Sequence, residues 1–150
     1  MRVLIQRVLE ASVEVEGTIC AQIAQGLLLL VGVEHADEPA DAAWLATKVC
    51  AMRIFDDALG VMNLSVMDVG GDVLAVSQFT LHALTQKGNR PSYIRAAKHE
   101  QALALYNRFC DLVSEKMGKS IKKGIFAADM KVRLLNDGPV TIGLDSRNRE

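Results

Sequence analysis

Two short stretches carry the side chains and backbone features best suited to chemistry, VSQFTL at 76–81 and NDGPVT at 136–141. Read as a strand, the first puts Gln78 and Thr80 on one side and Ser77 and Phe79 on the other. Thr80 has two readings, a nucleophile or a group that orients water. No His, Lys or Asp stands beside it in sequence to accept its proton, which argues against the nucleophile. In the second stretch Asn136, Asp137 and Gly138 suit a tight turn, and Pro139 then opens the next strand, where it removes a hydrogen-bond donor. One reading is an ordinary trans-proline hairpin, which the rarity of cis X-Pro bonds (about 5–6% in folded proteins) favours. The other is a cis Gly-Pro that turns adjacent carbonyls the same way. Two parallel carbonyl oxygens make an acceptor pair suited to gripping an ammonium group.

Other chemistries lack their signatures. His35, His82 and His99 are isolated from one another and fall in no HxxxH or HExxH pattern, so each reads as a surface or loop histidine. There is no GxSxG elbow, Walker loop or GxGxxG. Cys20, Cys50 and Cys110 are scattered, odd in number and form no CxxC pair, which argues against zinc and against a disulfide framework. Each cysteine falls in an apolar-periodic segment and reads as a small buried hydrophobe, and free thiols fit a reducing cytoplasm. No metal or cofactor is expected.

The elements that must position these stretches are legible from periodicity. VLIQRVLEASVEVEG alternates and ends at Gly17, reading as strands that bend into a hairpin, and ICAQIAQ and GLLLLVGV follow as further strands. A first helix is expected from Pro39 to about Phe55, with Leu45, Val49 and Met52 on one face. Asp56, Asp57 and Gly60 mark a turn, VMNLSV a short strand, and Asp68 to Asp72 another turn. VLAVSQFTL reads as one strand and HALTQKGNRPS as a loop. A second helix is expected from about His99 to Met117, with Leu103, Tyr106, Cys110, Val113 and Met117 buried and Gly118 at its end. KSIKKG reads as a basic connector, and FAADMKVRLL and VTIGL as two last strands joined at Asn-Asp-Gly-Pro. The expectation is an α/β chain of α+β character, mostly antiparallel sheet with two main helices on one side.

The 150 residues make one ordinary domain, 1–150, and half of them are hydrophobic, enough for a substantial core. The N-terminal MRVLIQRVLE is too interrupted by charge for a signal peptide. GLLLLVGV falls far short of the ~20 residues a membrane helix needs, so no membrane partner is expected. A net charge of −1 hides an asymmetry: residues 1–86 carry 4 Lys+Arg against 11 Asp+Glu, and residues 87–133 carry 11 against 4. That basic block has two readings, a solvated helix face or a surface for a phosphate backbone.

SQFTL at 77–81, KGNRPS at 87–92 and NDGPVT at 136–141 together resemble the D-aminoacyl-tRNA deacylase family, also called D-tyrosyl-tRNA deacylases. MRVLIQRV with ASVEVEG, GLLLLVGV and GIFAADMKV are similar to that family as well, so the resemblance runs from Met1 to about Ser146. It implies a three-layer β/β/α fold and a cytoplasmic homodimer without metal or cofactor. The implied activity is a proofreading step of translation: hydrolysis of the ester between a D-amino acid, or mischarged glycine, and the terminal adenosine of tRNA. Carried over, Gly138 and Pro139 form a Gly-cisPro element that enters the other subunit's site, holds the α-amino group with its carbonyls and excludes L side chains. Ser77, Gln78, Phe79 and Thr80 line the catalytic pocket, Arg7 braces the Gly-Pro loop, and Phe126 and Met130 lie near the adenosine. Lys87, Arg90 and Arg95 flank the pocket toward the acceptor stem, and Lys122 and Lys123 extend that tRNA-binding face. Between SQFTL and KGNRPS the chain reads HALTQ, where the family tends to carry Tyr or an acidic residue, and AAKHEQA lacks a proline often found there. The alternative reading is a non-catalytic homodimer that binds a nucleotide or nucleic acid in the same pocket.

Overall fold

A computed structural model describes residues 1–149. Its organising element is β1 (Arg2–Val15), one long strand where the alternation suggested strands bending into a hairpin. Val3, Ile5, Val8, Ala11 and Val13 along it are buried. On one edge β1 pairs antiparallel with β3 (Gly26–Gly32) through its first half and with β2 (Thr18–Ile23) through its second. On the other edge β8 (Lys131–Asp145) runs antiparallel along its length, from Arg2 opposite Asp145 to Glu14 opposite Lys131.

The sheet continues from β3 to β6 (Asp72–Ser77) and β7 (Lys122–Lys123), and both of these pairings are parallel. Parallel neighbours need long crossovers. The first contains α1 (Pro39–Ala51) and a small ribbon, β4 (Phe55–Asp56) with β5 (Met62–Leu64); the second contains α2 (His99–Met117). The segment read as a basic connector thus supplies a short edge strand, which sequence hides because two residues carry no period.

Successive residues of β3 face opposite sides, and both sides are apolar. Leu27, Leu29 and Val31 pack with Leu45, Val49, Tyr106, Phe109 and Val113 of the helices. Leu28 packs with Val8, Ala11 and Val13 of β1, Ala21 and Ile23 of β2, and Leu74 and Val76 of β6. The sheet therefore curls over its own second face while both helices cover the first, giving the three-layer β/β/α arrangement. No described helix is long and apolar enough to cross a membrane.

Element ends depart from the sequence reading in physically clear ways. Helix α1 stops at Ala51, with Met52 as extended C-cap, so Phe55 lies in β4. Pro39 occupies its first turn, and Asp41 accepts the Glu38 N–H at 2.8 Å, satisfying a free donor at that end. Helix α2 spans the expected residues and Gly118 caps it in the left-handed region, but its buried stripe is Leu105, Tyr106, Phe109, Cys110 and Val113. Leu103 and Met117 are only half-buried. Cys50 and Cys110 are core residues, and burial pushes their thiols up to about 11 and about 12 respectively. Cys20, by contrast, is exposed on β2. His82 is a buried residue and not a surface histidine.

Two departures matter for function. The strand through VLAVS ends at Ser77, and Phe79–His82 form a 3-10 turn, so the strand alternation assigned to Ser77, Gln78, Phe79 and Thr80 does not hold. At the other end, no hairpin forms at Asn-Asp-Gly-Pro. Strand β8 passes straight through it, still paired to β1.

Candidate functional site

The site is built where β6 leaves the sheet. The Gln78 N–H extends the ladder by donating to the Val31 carbonyl at 2.7 Å, and the chain then tightens into the 3-10 turn. Room for that turn comes from Gly32 on β3: a Cβ there would lie 2.9 Å from the Gln78 carbonyl oxygen and 3.1 Å from the Leu81 and His82 side chains. The Arg2 guanidinium donates to the Leu81 carbonyl at 2.9 Å and is itself paired with Asp145 at 2.8 Å. Within the turn, the Gln78 amide donates to the Thr80 hydroxyl at 2.6 Å. Phe79 and Thr80 are its first two residues, whose N–H groups have no partner inside a helical turn.

Beside this turn lies a cavity of about 420 Å³. The size and largely apolar lining suit a small organic ligand. Its walls come from Val31 and Val33, from Ser77, Gln78 and Phe79, from the start of α2, and from residues 126 to 130. Aromatic rings frame it. Phe79 is 56% exposed and meets Tyr93 edge-on with centroids 5.0 Å apart. Phe126 meets His99 edge-on at 5.2 Å and Tyr106 tilted at 5.6 Å. The Tyr106 hydroxyl donates to the Ala75 carbonyl at 2.9 Å, and burial holds its pKa well above the ordinary tyrosine value. At neutral pH Tyr106 is therefore a neutral, fixed wall.

The structure thus brings Ser77, Gln78, Phe79, Phe126 and Met130 to one cavity. Thr80 is tied to Gln78 just beyond its lining, and neither Arg7, Gly138 nor Pro139 lines it. His99, Tyr106 and Asp129 also line it and were not singled out from sequence. His99 starts α2 with no pattern around it, Tyr106 reads as core stripe, and Asp129 follows two alanines.

Gly138 and Pro139 occupy a bulge. Gln6 of β1 pairs with Thr141 and Val8 with Asn136, so residues 137 to 140 stand opposite Arg7 alone. The Gly138–Pro139 peptide bond is cis. Gly138 has φ +118, in the region that favours glycine, and a Cβ there would lie 2.9 Å from Val140 Cγ2 and 3.1 Å from Arg7 Nη2. The Arg7 side chain is only 8% exposed. Its Nε donates to the Asp137 carbonyl at 3.2 Å and lies 3.1 Å from the Asp137 carboxylate. Its Nη1 donates to the Ile54 carbonyl at 2.7 Å and sits 3.5 Å from the Asp56 carboxylate. One guanidinium therefore ties the bulge to the base of the β4–β5 ribbon.

The basic residues divide. Lys87 and Arg90 lie exposed in the loop before α2, and Lys122 and Lys123 lie exposed on β7. Arg95 is committed to the buried Glu34 through two bonds of 2.7 and 3.0 Å. Among the described residues no group of three or more His, Cys, Asp or Glu is placed to hold a metal ion.

Residues 4–145 match the family model described as D-Tyr-tRNA(Tyr) deacylase. The chain is 60% identical over 150 residues to the D-aminoacyl-tRNA deacylase of Flavobacterium johnsoniae, with all of both chains covered. Its fold superposes with a TM-score of 0.92 on a solved structure titled c-Myc DNA Unwinding Element Binding Protein, at 38% identity over 97% of this chain and 98% of that one. A TM-score of 0.83, at 16% identity over 95% and 97% of the two chains, relates its fold to a probable eukaryotic D-amino acid tRNA deacylase. With a match across nearly its whole length and relatives of more than half identity, the chain belongs to the D-Tyr-tRNA(Tyr) deacylase family.

Proposed function

We propose that the chain is a homodimeric ester hydrolase that frees D-amino acids, and mischarged glycine, from the 3′ end of tRNA. The observation that carries this reading is the separation of two rigid parts. The cavity lies beside the start of the 3-10 turn, whose first N–H groups have no partner within the turn, and offers space for an aminoacyl-adenosine. The Gly138–Pro139 bulge, pinned by Arg7, does not line the cavity of its own chain. A second copy supplies the bulge to that cavity. There its carbonyl oxygens accept hydrogen bonds from the substrate's α-ammonium.

Each demand of the reaction then has a group. The carbonyl oxygen of the ester becomes an oxyanion as water attacks, and the Phe79 and Thr80 N–H groups stabilise it. Thr80 takes its orientation from Gln78 and has no base beside it, so its hydroxyl positions water and does not attack. The 2′-hydroxyl of the substrate's ribose lies next to the ester and helps activate that water. Phe126 and Met130 support the adenosine. Handedness is read by main chain: a wall that cannot relax rejects an L side chain far more strongly than the ~1–3 kcal/mol of a soft pocket. Side chains of D-residues point away from the wall and need not be read, so many are accepted.

The exposed lysines of β7 and the loop cations Lys87 and Arg90 meet the acceptor-stem phosphates, which position the substrate without reading sequence. Arg95, already paired, contributes chiefly by holding Glu34. Replacing Lys122 and Lys123 with Ala is expected to weaken tRNA binding and lower the slope of log affinity against log salt by about 2. An unchanged slope would remove both lysines from the interface.

D-Tyr-tRNA and L-Tyr-tRNA, incubated with the protein, test the activity directly. Loss of the D ester alone is expected, and Thr80→Ala is expected to retain at least about a tenth of the rate, as loss of a positioning hydroxyl implies. Tight tRNA binding without ester loss would favour the binding-module reading, which the likeness to a protein titled as DNA-binding keeps in view.

A further inference from the structure

His82 ends the 3-10 turn that carries Phe79 and Thr80, and it is 2% exposed. Its ring lies against β3 where Gly32 leaves space; a Cβ on Gly32 would come within 3.1 Å of the ring's Cδ2. Neither ring nitrogen makes a hydrogen bond of ordinary geometry. Buried polar atoms are nearly always paired, so this ring stands out in the core. Its Nδ1 lies 3.9 Å from the buried carboxylate of Glu34, too far to bond.

The surrounding charge is dense and asymmetric. Arg2 of β1 holds the Leu81 carbonyl next to the ring. Glu34 takes Arg95 at 2.7 Å on the oxygen that faces His82, and Arg147 approaches its other oxygen at 3.9 Å. Behind Glu34, Asp37 accepts the Glu34 N–H at 2.7 Å and pairs with the N-terminal amine. Burial pushes the pKa of His82 below the ordinary histidine value, and Arg2 and the N-terminal amine push the same way. The Gly32 backbone and the Glu34 carboxylate oppose them without reversing the direction.

We propose that His82 is a positioning residue for the site: its uncharged ring, wedged between β3 and the 3-10 turn, holds Phe79 and Thr80 in register, and adding a proton to it releases that turn. A charged imidazolium in this place has no acceptor at bonding distance: the nearest carboxylate oxygen, that of Glu34, is 3.9 Å away and already takes Arg95. The ring must move toward Glu34 or toward water, and either movement carries the turn with it. The sign follows from linkage. The native state disfavours the proton, so the stabilising contribution of neutral His82 is complete above the unfolded pKa of about 6.5 and is lost as pH falls from there toward the depressed native value. The consequence for catalysis rests on the deacylase reading; the movement of the turn does not.

Amide and imidazole NMR of the full chain between about pH 7.5 and 5 tests the movement without substrate. The expected result is that the Phe79 and Thr80 amide signals shift with the same midpoint as the His82 ring, and that His82→Phe abolishes this shift. His82→Gln, which is polar but does not titrate, gives the same flat response if the phenylalanine variant folds poorly. In the D-tyrosyl ester assay the wild-type rate relative to either variant is expected to fall below the midpoint by up to about tenfold per pH unit, as loss of activity on one added proton dictates. Identical amide titrations in wild type and variants, or a flat rate ratio in an active wild type, would overturn the proposal. A wild type that never hydrolyses the ester would refute the deacylase reading while the NMR comparison still decides the role of His82.

Discussion

Replacing Gly138 with alanine is expected to lower hydrolysis of D-aminoacyl esters by about 100-fold, the effect of misplacing a positioning group by roughly 1 Å. The new methyl group cannot be absorbed locally. At φ +118 an L side chain is disfavoured, and the methyl carbon would sit 2.9 Å from Val140 Cγ2 and 3.1 Å from Arg7 Nη2. The guanidinium cannot retreat freely, because its other nitrogens hold the Ile54 carbonyl and Asp137. The bulge must therefore shift as a unit, by an amount that matters little to the fold and greatly to a selector. The local strain of about 1–3 kcal/mol leaves most of a domain's stability intact. Circular dichroism and thermal melting are thus expected to show a folded variant, while the rate against D-Tyr-tRNA collapses. A folded Gly138→Ala with near wild-type D-ester activity would show that the bulge does not act in the site.

Replacing Arg7 with methionine is expected to damage both stability and activity. The substitution keeps the length and most of the apolar contact but leaves the Ile54 carbonyl and the Asp137 carboxylate without their donor. Removing one partner of a buried pair costs 3–5 kcal/mol, and the partial exposure of Asp137 and Asp56 reduces this to about 2–3 kcal/mol. For a chain of this size that corresponds to a fall in Tm of roughly 5–10 °C. Activity is expected to fall with it even at temperatures where the variant is fully folded, because bulge and ribbon lose their common anchor. Arg7→Lys, a compact charge with no planar fork, is expected to recover part of the stability and less of the activity. Full activity in a folded Arg7→Met would separate the guanidinium from the site.

Much of the fold was legible because its long elements have clean periods. Helix α2 lies where its pattern placed it, and Gly118 closes it in the left-handed conformation that favours glycine. Both faces of β3 are apolar because each serves a separate core, which is why GLLLLVGV reads as a buried strand. The failures share one cause: tertiary contacts override local pattern. VSQFTL has strand-like composition, yet Gly32 opens a space into which the chain turns, so four residues leave the sheet. Asn-Asp-Gly-Pro has the composition of a hairpin turn, yet β1 runs alongside without a break and holds both flanks in one strand, leaving the turn residues as a bulge. A buried unpaired histidine has no sequence signal at all; only the packing of the turn against β3 reveals it. The cavity combines segments around residues 31, 78, 99 and 128 that no spacing rule connects.

In the proposed homodimer, the backbone selector of one chain completes the cavity of another. Subunit mixing measures this directly. Gly138→Ala keeps its cavity and loses its selector. Ala128→Trp, which places a large ring at the lining of the 420 Å³ cavity, keeps its selector and loses its cavity. Each variant alone is expected to be nearly inactive on D-Tyr-tRNA. Unfolded and refolded together in equal amounts, they are expected to regain about one quarter of the wild-type rate, the share of intact sites that random two-fold pairing creates. That recovered activity is expected to spare L-Tyr-tRNA. No recovery on mixing, with heterodimers demonstrated by mass, would contradict the claim, and so would recovered activity that destroys the L ester as fast as the D ester.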